Sequence, residues 1–363
     1  LFTMQGLIMK KILLILLSVF FSFNEINLVQ AKCSFNCPKF VKNESLILWD
    51  KSSNDTKLCF PKFSPSIQKY STVVKRYKYP YPENGFEIFL VKNASTINFA
   101  ISNPKQFDFK TYKAQILELA KSNSFSTLDW AGRGASPAFA TAIVIKSVAY
   151  SYSLIDEYEK FSEKEAKIIR DWVTGIEKNI HKKENSLDHK IAIATTHILW
   201  GAASKDETFF KKGQKGMMSF LKKTQKNGRI ADDVRNNNEI MHHLVQGAEV
   251  LELNGVKIYS EVFNGLSLHK IVESHAKNVL ATGNKKNKTS GDKYDPARSI
   301  MRSQGYGTHI AWVPIYLNRF MSHNSSNAVI ELRQALREKY RDRKPFFGQQ
   351  IAINTSCYYG DKI

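Results

Sequence analysis

An Asp-His pair, Asp188-His189, opens the apolar run "SLDHKIAIATTHILWGA" (186–202). Further along, "GRIADDVRNNNEIMHHLVQGAEVLELNG" (228–255) holds Arg235 and, seven residues later, His242-His243 at the head of another apolar run. A histidine can take or give a proton near neutral pH, because its ordinary pKa is about 6.5. An Asp beside it can set its tautomer. An Arg offers a fixed fork of donors to a carboxylate. Together these types suit proton transfer next to an anion. Each also has a plainer reading. Ser186, Asp188 or Asn185 can cap a helix, and a His in a first turn is commonly just exposed. Arg235 and His242 stand two helical turns apart, so a continuous helix puts them on one face. His243 points about 100° away from His242, so the pair also suits a helix shared between core and surface. Adjacent histidines diverge, and helical metal pairs favour i, i+4 spacing. No metal and no cofactor is expected from them.

These residues need helices to hold them, and the sequence supplies helices from about 110 to 345. "FKTYKAQILELAKS" has an amphipathic pattern. "ASPAFATAIVIKSVAYSYSLI" is apolar nearly all round and predicts a buried helix. "SEKEAKIIRDWVTGIEKNI" begins with Ser162 and Glu165 at capping-box spacing. Helical periods follow in "HKIAIATTHILWGAAS", "DETFFKKGQKGMMSFLKKTQ", "EIMHHLVQGAEVLELNG", "LSLHKIVESHAKNVLAT", "THIAWVPIYLNRFM" and "NAVIELRQALREKYRD". Buried helices alternate with amphipathic ones, joined by short loops. That pattern predicts an all-α fold of antiparallel helix pairs in two layers, an incomplete (α/α) toroid. Residues 32 to about 110 read as irregular cover, and "ATGNKKNKTSGDKYDPARS" (281–299) as a long polar loop.

The whole chain narrows the setting. It has 363 residues, 43% of them hydrophobic, enough for a large core. Met9-Lys10-Lys11, the apolar run Ile12 to Phe23 and the small-residue end at Ala31 have the order of a secretory signal peptide. The run is shorter than the roughly 20 residues of a membrane span. The expected layout is therefore a leader with an upstream extension over 1–31 and a single domain over 32–363. No later stretch reads as a membrane span, so a soluble, monomeric, periplasmic or secreted protein is expected. The four cysteines, Cys33, Cys37, Cys59 and Cys357, suit two disulfides with three possible pairings in an exported chain. A Cys-x-x-x-Cys metal site lacks further ligands to complete it. The formal net charge is +20. Such a charge attracts polyanions, and it also follows from the Lys- and Asn-rich composition of an AT-rich genome. No nucleic-acid-binding motif is present, so acidic polysaccharide is the expected partner.

The layout resembles the alginate lyase superfamily, above all polysaccharide lyase family five. That family carries Asn-His at the mouth of an inner helix, then an Arg, and two turns on a Tyr followed directly by His. Asp188-His189 matches the first pair, Arg235 the Arg, His242 the Tyr and His243 the following His. "KNGRIADDVR" resembles the segment leading into the Arg, and "HIAWVPIYLNRF" a late Ala-Trp-x-x-Pro-Tyr stretch. "PSIQKYS" resembles a Ser-Lys-Tyr near the N-terminus. The resemblance implies metal-independent β-elimination on a uronic-acid polymer. It assigns His189 and Arg235 to the substrate carboxylate, His242 to proton transfer and Asp188 to orienting His189. It implies Lys69 and His243 as substrate-binding residues. Trp130 and Trp312 as sugar platforms, and Arg133 as a carboxylate contact, complete the set; core packing is the plainer reading of both Trp residues. Asp for Asn and His for Tyr depart from the family pattern. They keep open a second class, a catalytically silent binder of acidic polysaccharide. A hydrolase ranks last, because adjacent Asp232 and Asp233, with Glu239 nearby, do not make an opposed carboxylate pair.

Overall fold

The structure, a computed structural model, describes residues 85–126, 136–181, 186–230, 234–283 and 310–340, with short pieces at 347–348, 353–355 and 359. All of them fall within Asn36–Ile363, one of the two units into which the chain divides. The helices are α1 (Gly85–Ser102), α2 (Phe109–Lys121), α3 (Pro137–Tyr158), α4 (Glu163–Glu177), α5 (Leu187–Ser204), α6 (Glu207–Leu221), α7 (Val234–Leu253), α8 (Leu268–Gly283), α9 (Trp312–Phe320) and α10 (Asn327–Tyr340). Two small antiparallel hairpins accompany them, β1 (Val262–Phe263) with β2 (Leu266–Ser267) and β3 (Phe347–Gly348) with β4 (Ile353–Asn354). The expected all-α class holds.

Local chemistry sets the helix starts. Ser136 caps α3 by accepting from the Phe139 N–H, and Pro137 follows at the first helical position, where its missing N–H costs nothing. Ser162 and Glu165 form the capping box of α4 in full. Asp206 accepts from Thr208 and Phe209 N–H groups to start α6 directly after α5.

Side-chain contacts fix the directions. Phe139 meets His189, Thr196 Oγ1 reaches the Ala142 carbonyl and Tyr152 meets Trp200, so α3 and α5 run the same way. Lys146 and Tyr150 both reach Gln246, and Phe139 meets His243, placing α7 beside α3 in the same sense. Asn238 bonds Trp312 and Glu249 bonds Arg319, so α9 runs with α7. These helices are buried along most of their length. The half-wetted helices return in the opposite sense. Gly201 faces Phe210, and Gly213 and Gly216 face Ala194, which makes α5 and α6 antiparallel. His269 with Tyr316 and His275 with Trp312 do the same for α8 and α9. The result is two layers, with the N-termini of α3, α5, α7 and α9 at one end. Their aligned peptide dipoles make that end electropositive before any side chain is counted.

Two expectations need correction. Residues 85–102 are not irregular cover but the buried helix α1. Its Asn93 donates to Ser147 and Ser151 and accepts from the Tyr112 hydroxyl, so a polar residue that breaks the apolar run is satisfied by partners far along the chain. Helix α3 is, by length and composition, apolar enough to cross a membrane, contrary to the sequence expectation. Its most apolar window is 100% buried inside the protein, and Lys146 lies within it.

Candidate active site

The site is built at the N-terminal end of the buried helices. Ser186 takes the N-cap position of α5 but makes no capping bond; its hydroxyl donates to Asp188 instead. Asp188 Oδ2 then lies 3.7 Å from His189 Nε2, an ion-pair distance rather than a hydrogen bond. The two side chains are each 16% exposed, a shallow position that a ligand can reach. His189 Nδ1 is 3.5 Å from the hydroxyl of Ser136, the cap of α3. Its ring lies on Phe139 with centroids 4.3 Å apart and 25° between planes. Phe139 in turn meets His243 at 5.9 Å and 77°. One aromatic ring thus spaces a histidine of α5 from a histidine of α7.

Behind this pair the polarity continues inward. His243 Nδ1 is 2.6 Å from Lys146 Nζ, and Lys146 also donates to Gln246 Oε1 at 3.1 Å. Gln246 Nε2 donates to the Tyr150 hydroxyl at 2.9 Å. The Thr195 hydroxyl holds the His243 carbonyl at 2.7 Å, tying α5 to α7 at the same level. Lys146, His243 and Gln246 are fully buried. Burial pushes the Lys146 amine well below its ordinary pKa. It does the same to His243, and the charges of Lys146, His242 and His189 add to the effect.

His242 is 1% exposed. The plainer reading of the pair, a helix shared between core and surface, does not hold, since both histidines are buried. Arg235 lies in the first turn of α7, two turns before His242. Trp312 is a core residue rather than a sugar platform: it is fully enclosed, and its indole N–H donates to Asn238 Oδ1 at 2.9 Å. The same oxygen accepts from His275 Nε2 at 3.0 Å. Burial holds His275 neutral, with its pKa lowered to about 3. Lys69, Trp130, Arg133, Asp232, Asp233, the leader and all four cysteines lie outside the described residues.

The sequence reading missed Lys146, Phe139 and Gln246. A signal for one was present, because a lysine inside a long apolar helix must find polar partners somewhere. The partners lie on another helix about a hundred residues away and leave no local pattern.

The chain has an alginate lyase-like fold. It is similar to a solved histidine-to-alanine variant of alginate lyase A1-III complexed with tetrasaccharide, with a TM-score of 0.65 and 12% identity over 85% of this chain and 90% of that one. It is similar to alginate lyase A1-III from Sphingomonas species A1 at a TM-score of 0.61 and 14% identity, covering 87% and 90%. A tyrosine-to-phenylalanine variant of the same enzyme, complexed with tetrasaccharide, gives 0.60 and 14% over 87% and 89%. At these identities the likeness is one of fold. No family model matches the chain, and no curated protein matches it in sequence.

Proposed function

We propose that the protein is a polysaccharide lyase that cuts an acidic polyuronate, alginate-like or glucuronan-like, by β-elimination in the periplasm or outside the cell. The observation that carries this reading is the juxtaposition of His189 and His243 across Phe139, with His242 beside them, in an alginate lyase-like fold. The C5 proton of a uronate is weakly acidic. It becomes removable when the neighbouring carboxylate is met by fixed donors, which stabilise the charge that builds as the proton leaves. His189 and Arg235 take that part. His242 is the base that removes the C5 proton and returns one to the leaving glycosidic oxygen. Asp188 holds the ring of His189. The +20 chain and the aligned helix dipoles draw the polyanion to this end.

One observation favours a second reading. Asp188 places a carboxylate 3.7 Å from His189 Nε2, the atom offered to the substrate carboxylate, and like charges there oppose turnover. The alternative is a silent binder of acidic polysaccharide on the same fold. Replacing His242 by Ala separates the two. For a lyase, turnover falls by on the order of 100-fold or more while the polymer still binds in calorimetry. A protein in which His242→Ala changes neither turnover nor binding is not using it as a base.

A further inference from the structure

Lys146 is a buried amine that the proposed reaction does not use. It is fully buried on α3, a helix long and apolar enough to cross a membrane. A methionine or leucine would fill the same volume without removing a charge from water. What the lysine reaches is specific: Nδ1 of His243 at 2.6 Å and Oε1 of Gln246 at 3.1 Å. The amide of Gln246 is oriented by its own bond to Tyr150, so its oxygen, not its nitrogen, faces the amine. The ring of His243 is held on its other sides by Phe139 and, through the backbone, by Thr195. Its Nε2 is buried and has no hydrogen-bond partner among the described residues.

Two nitrogens at that separation share one proton, and one of them must present a lone pair. An amine holds a proton far more strongly than an imidazole, with ordinary pKa values near 10.4 and 6.5. Burial pushes both groups down from their ordinary values; an ammonium has three N–H donors and no lone pair, so Lys146 in that form can only donate, here to His243 Nδ1 and Gln246 Oε1. Lys146 is therefore the donor and His243 Nδ1 the acceptor. A neutral imidazole that accepts at Nδ1 carries its hydrogen on Nε2. A buried N–H donor without a partner is rare in folded proteins and is ordinarily met by a water, an ion or a ligand.

We propose that Lys146 is a positioning residue, which fixes His243 as the Nε2–H tautomer and so makes Nε2 a neutral donor for the carboxylate of a bound uronate. The identity of that acceptor rests on the lyase reading; the tautomer lock does not. Among the described residues, the titratable groups that act on His243 are Lys146 from α3, His189 from α5 and its neighbour His242 on α7.

The test is long-range proton–nitrogen NMR on the full chain labelled at histidine nitrogen, with His243 assigned from a His243→Gln sample. In the wild type, Nδ1 shows the unprotonated signature and Nε2 the protonated one, unchanged from about pH 5 to pH 8. In Lys146→Met, the ring exchanges between tautomers or titrates. On whichever polyuronate the wild type cleaves, kcat of that variant falls by on the order of 100-fold, with KM little altered. A proton on Nδ1 in the wild type, or the wild-type tautomer retained in Lys146→Met, overturns the proposal. A wild type that shows the tautomer but cleaves no polyuronate keeps Lys146 in its role and removes the lyase reading instead. The wild-type spectrum decides the matter even if Lys146→Met does not fold.

Discussion

His189 lies flat against Phe139, and the same ring reaches His243. The chemistry of the mouth therefore depends on an apolar residue as much as on the polar ones. Replacing His189 by Ala removes one preorganised donor and should lower kcat/KM by on the order of 100- to 1000-fold, read in steady-state kinetics. Its side chain is partly exposed, so thermal unfolding should move little. Phe139→Ala should lower activity and stability together, because the ring supports both histidines. The substitution removes a buried ring with 3% exposure and should cost about 3–5 kcal/mol in denaturant unfolding. At this scale the histidines were legible, because residue type and seven-residue spacing survive in a sequence. Lys146 was not, since its partners are set by tertiary packing. The enclosure of Trp312 was not legible either, because an indole on a helix looks alike whether its face meets Asn238 or a sugar.

The elements were legible wherever amphipathic and wholly apolar segments alternate, because that contrast reports the layer in which each helix lies. Helix α1 escaped for the opposite reason. Its Asn93 and Asn98 are buried polar residues within an apolar pattern, and Asn93 is satisfied by accepting from Tyr112 of α2 and donating to Ser147 of α3. Helices α5 and α6 approach closely, and a Cβ on Gly213 would lie 2.5 Å from the backbone nitrogen of Ile198. A backbone neighbour cannot move aside as a side-chain tip can. Gly213→Ala should therefore destabilise the fold by about 1–3 kcal/mol, seen as a lower denaturant midpoint with an unchanged slope. Gly175, with nothing within 4 Å of its added Cβ, is the control: Gly175→Ala should be neutral or stabilising. The α4–α5–α6 corner is joined by Glu177, which accepts from His197 at 2.9 Å and from Lys212 at 2.7 Å. Burial alone would raise its pKa, but these two partners outweigh burial and hold it at about 2. Its contribution is full above the ordinary carboxylate range and is lost as pH falls through about 2. Glu177→Gln should lower stability at neutral pH and lessen the loss in strong acid.

At the scale of the whole molecule, charge and acid response follow from the same packing. Burial depresses His275 to about 3 and, with the charge of His323, His269 to about 4, both below the ordinary 6.5. Between those values and 6.5 the unfolded chain binds protons that the folded chain refuses. Stability is therefore full above about pH 6.5 and falls as pH drops toward 4 and 3. Urea midpoints measured from pH 7 to pH 4 should decline, and His275→Gln, which keeps a donor to Asn238 without a titrating ring, should decline less steeply. The +20 balance and the electropositive helix ends point the molecule toward a polyanion, but charge does not name the sugar. The central claim is elimination on a polyuronate, and one measurement meets it directly. The purified protein is given polymannuronate, polyguluronate and polyglucuronate in turn, and the ultraviolet band of the unsaturated uronate is followed. The account predicts a rising band on one of the three polymers that is lost in His189→Ala. Flat traces on all three, with polymer binding retained, would contradict it and leave an acidic-polysaccharide binder on a lyase fold.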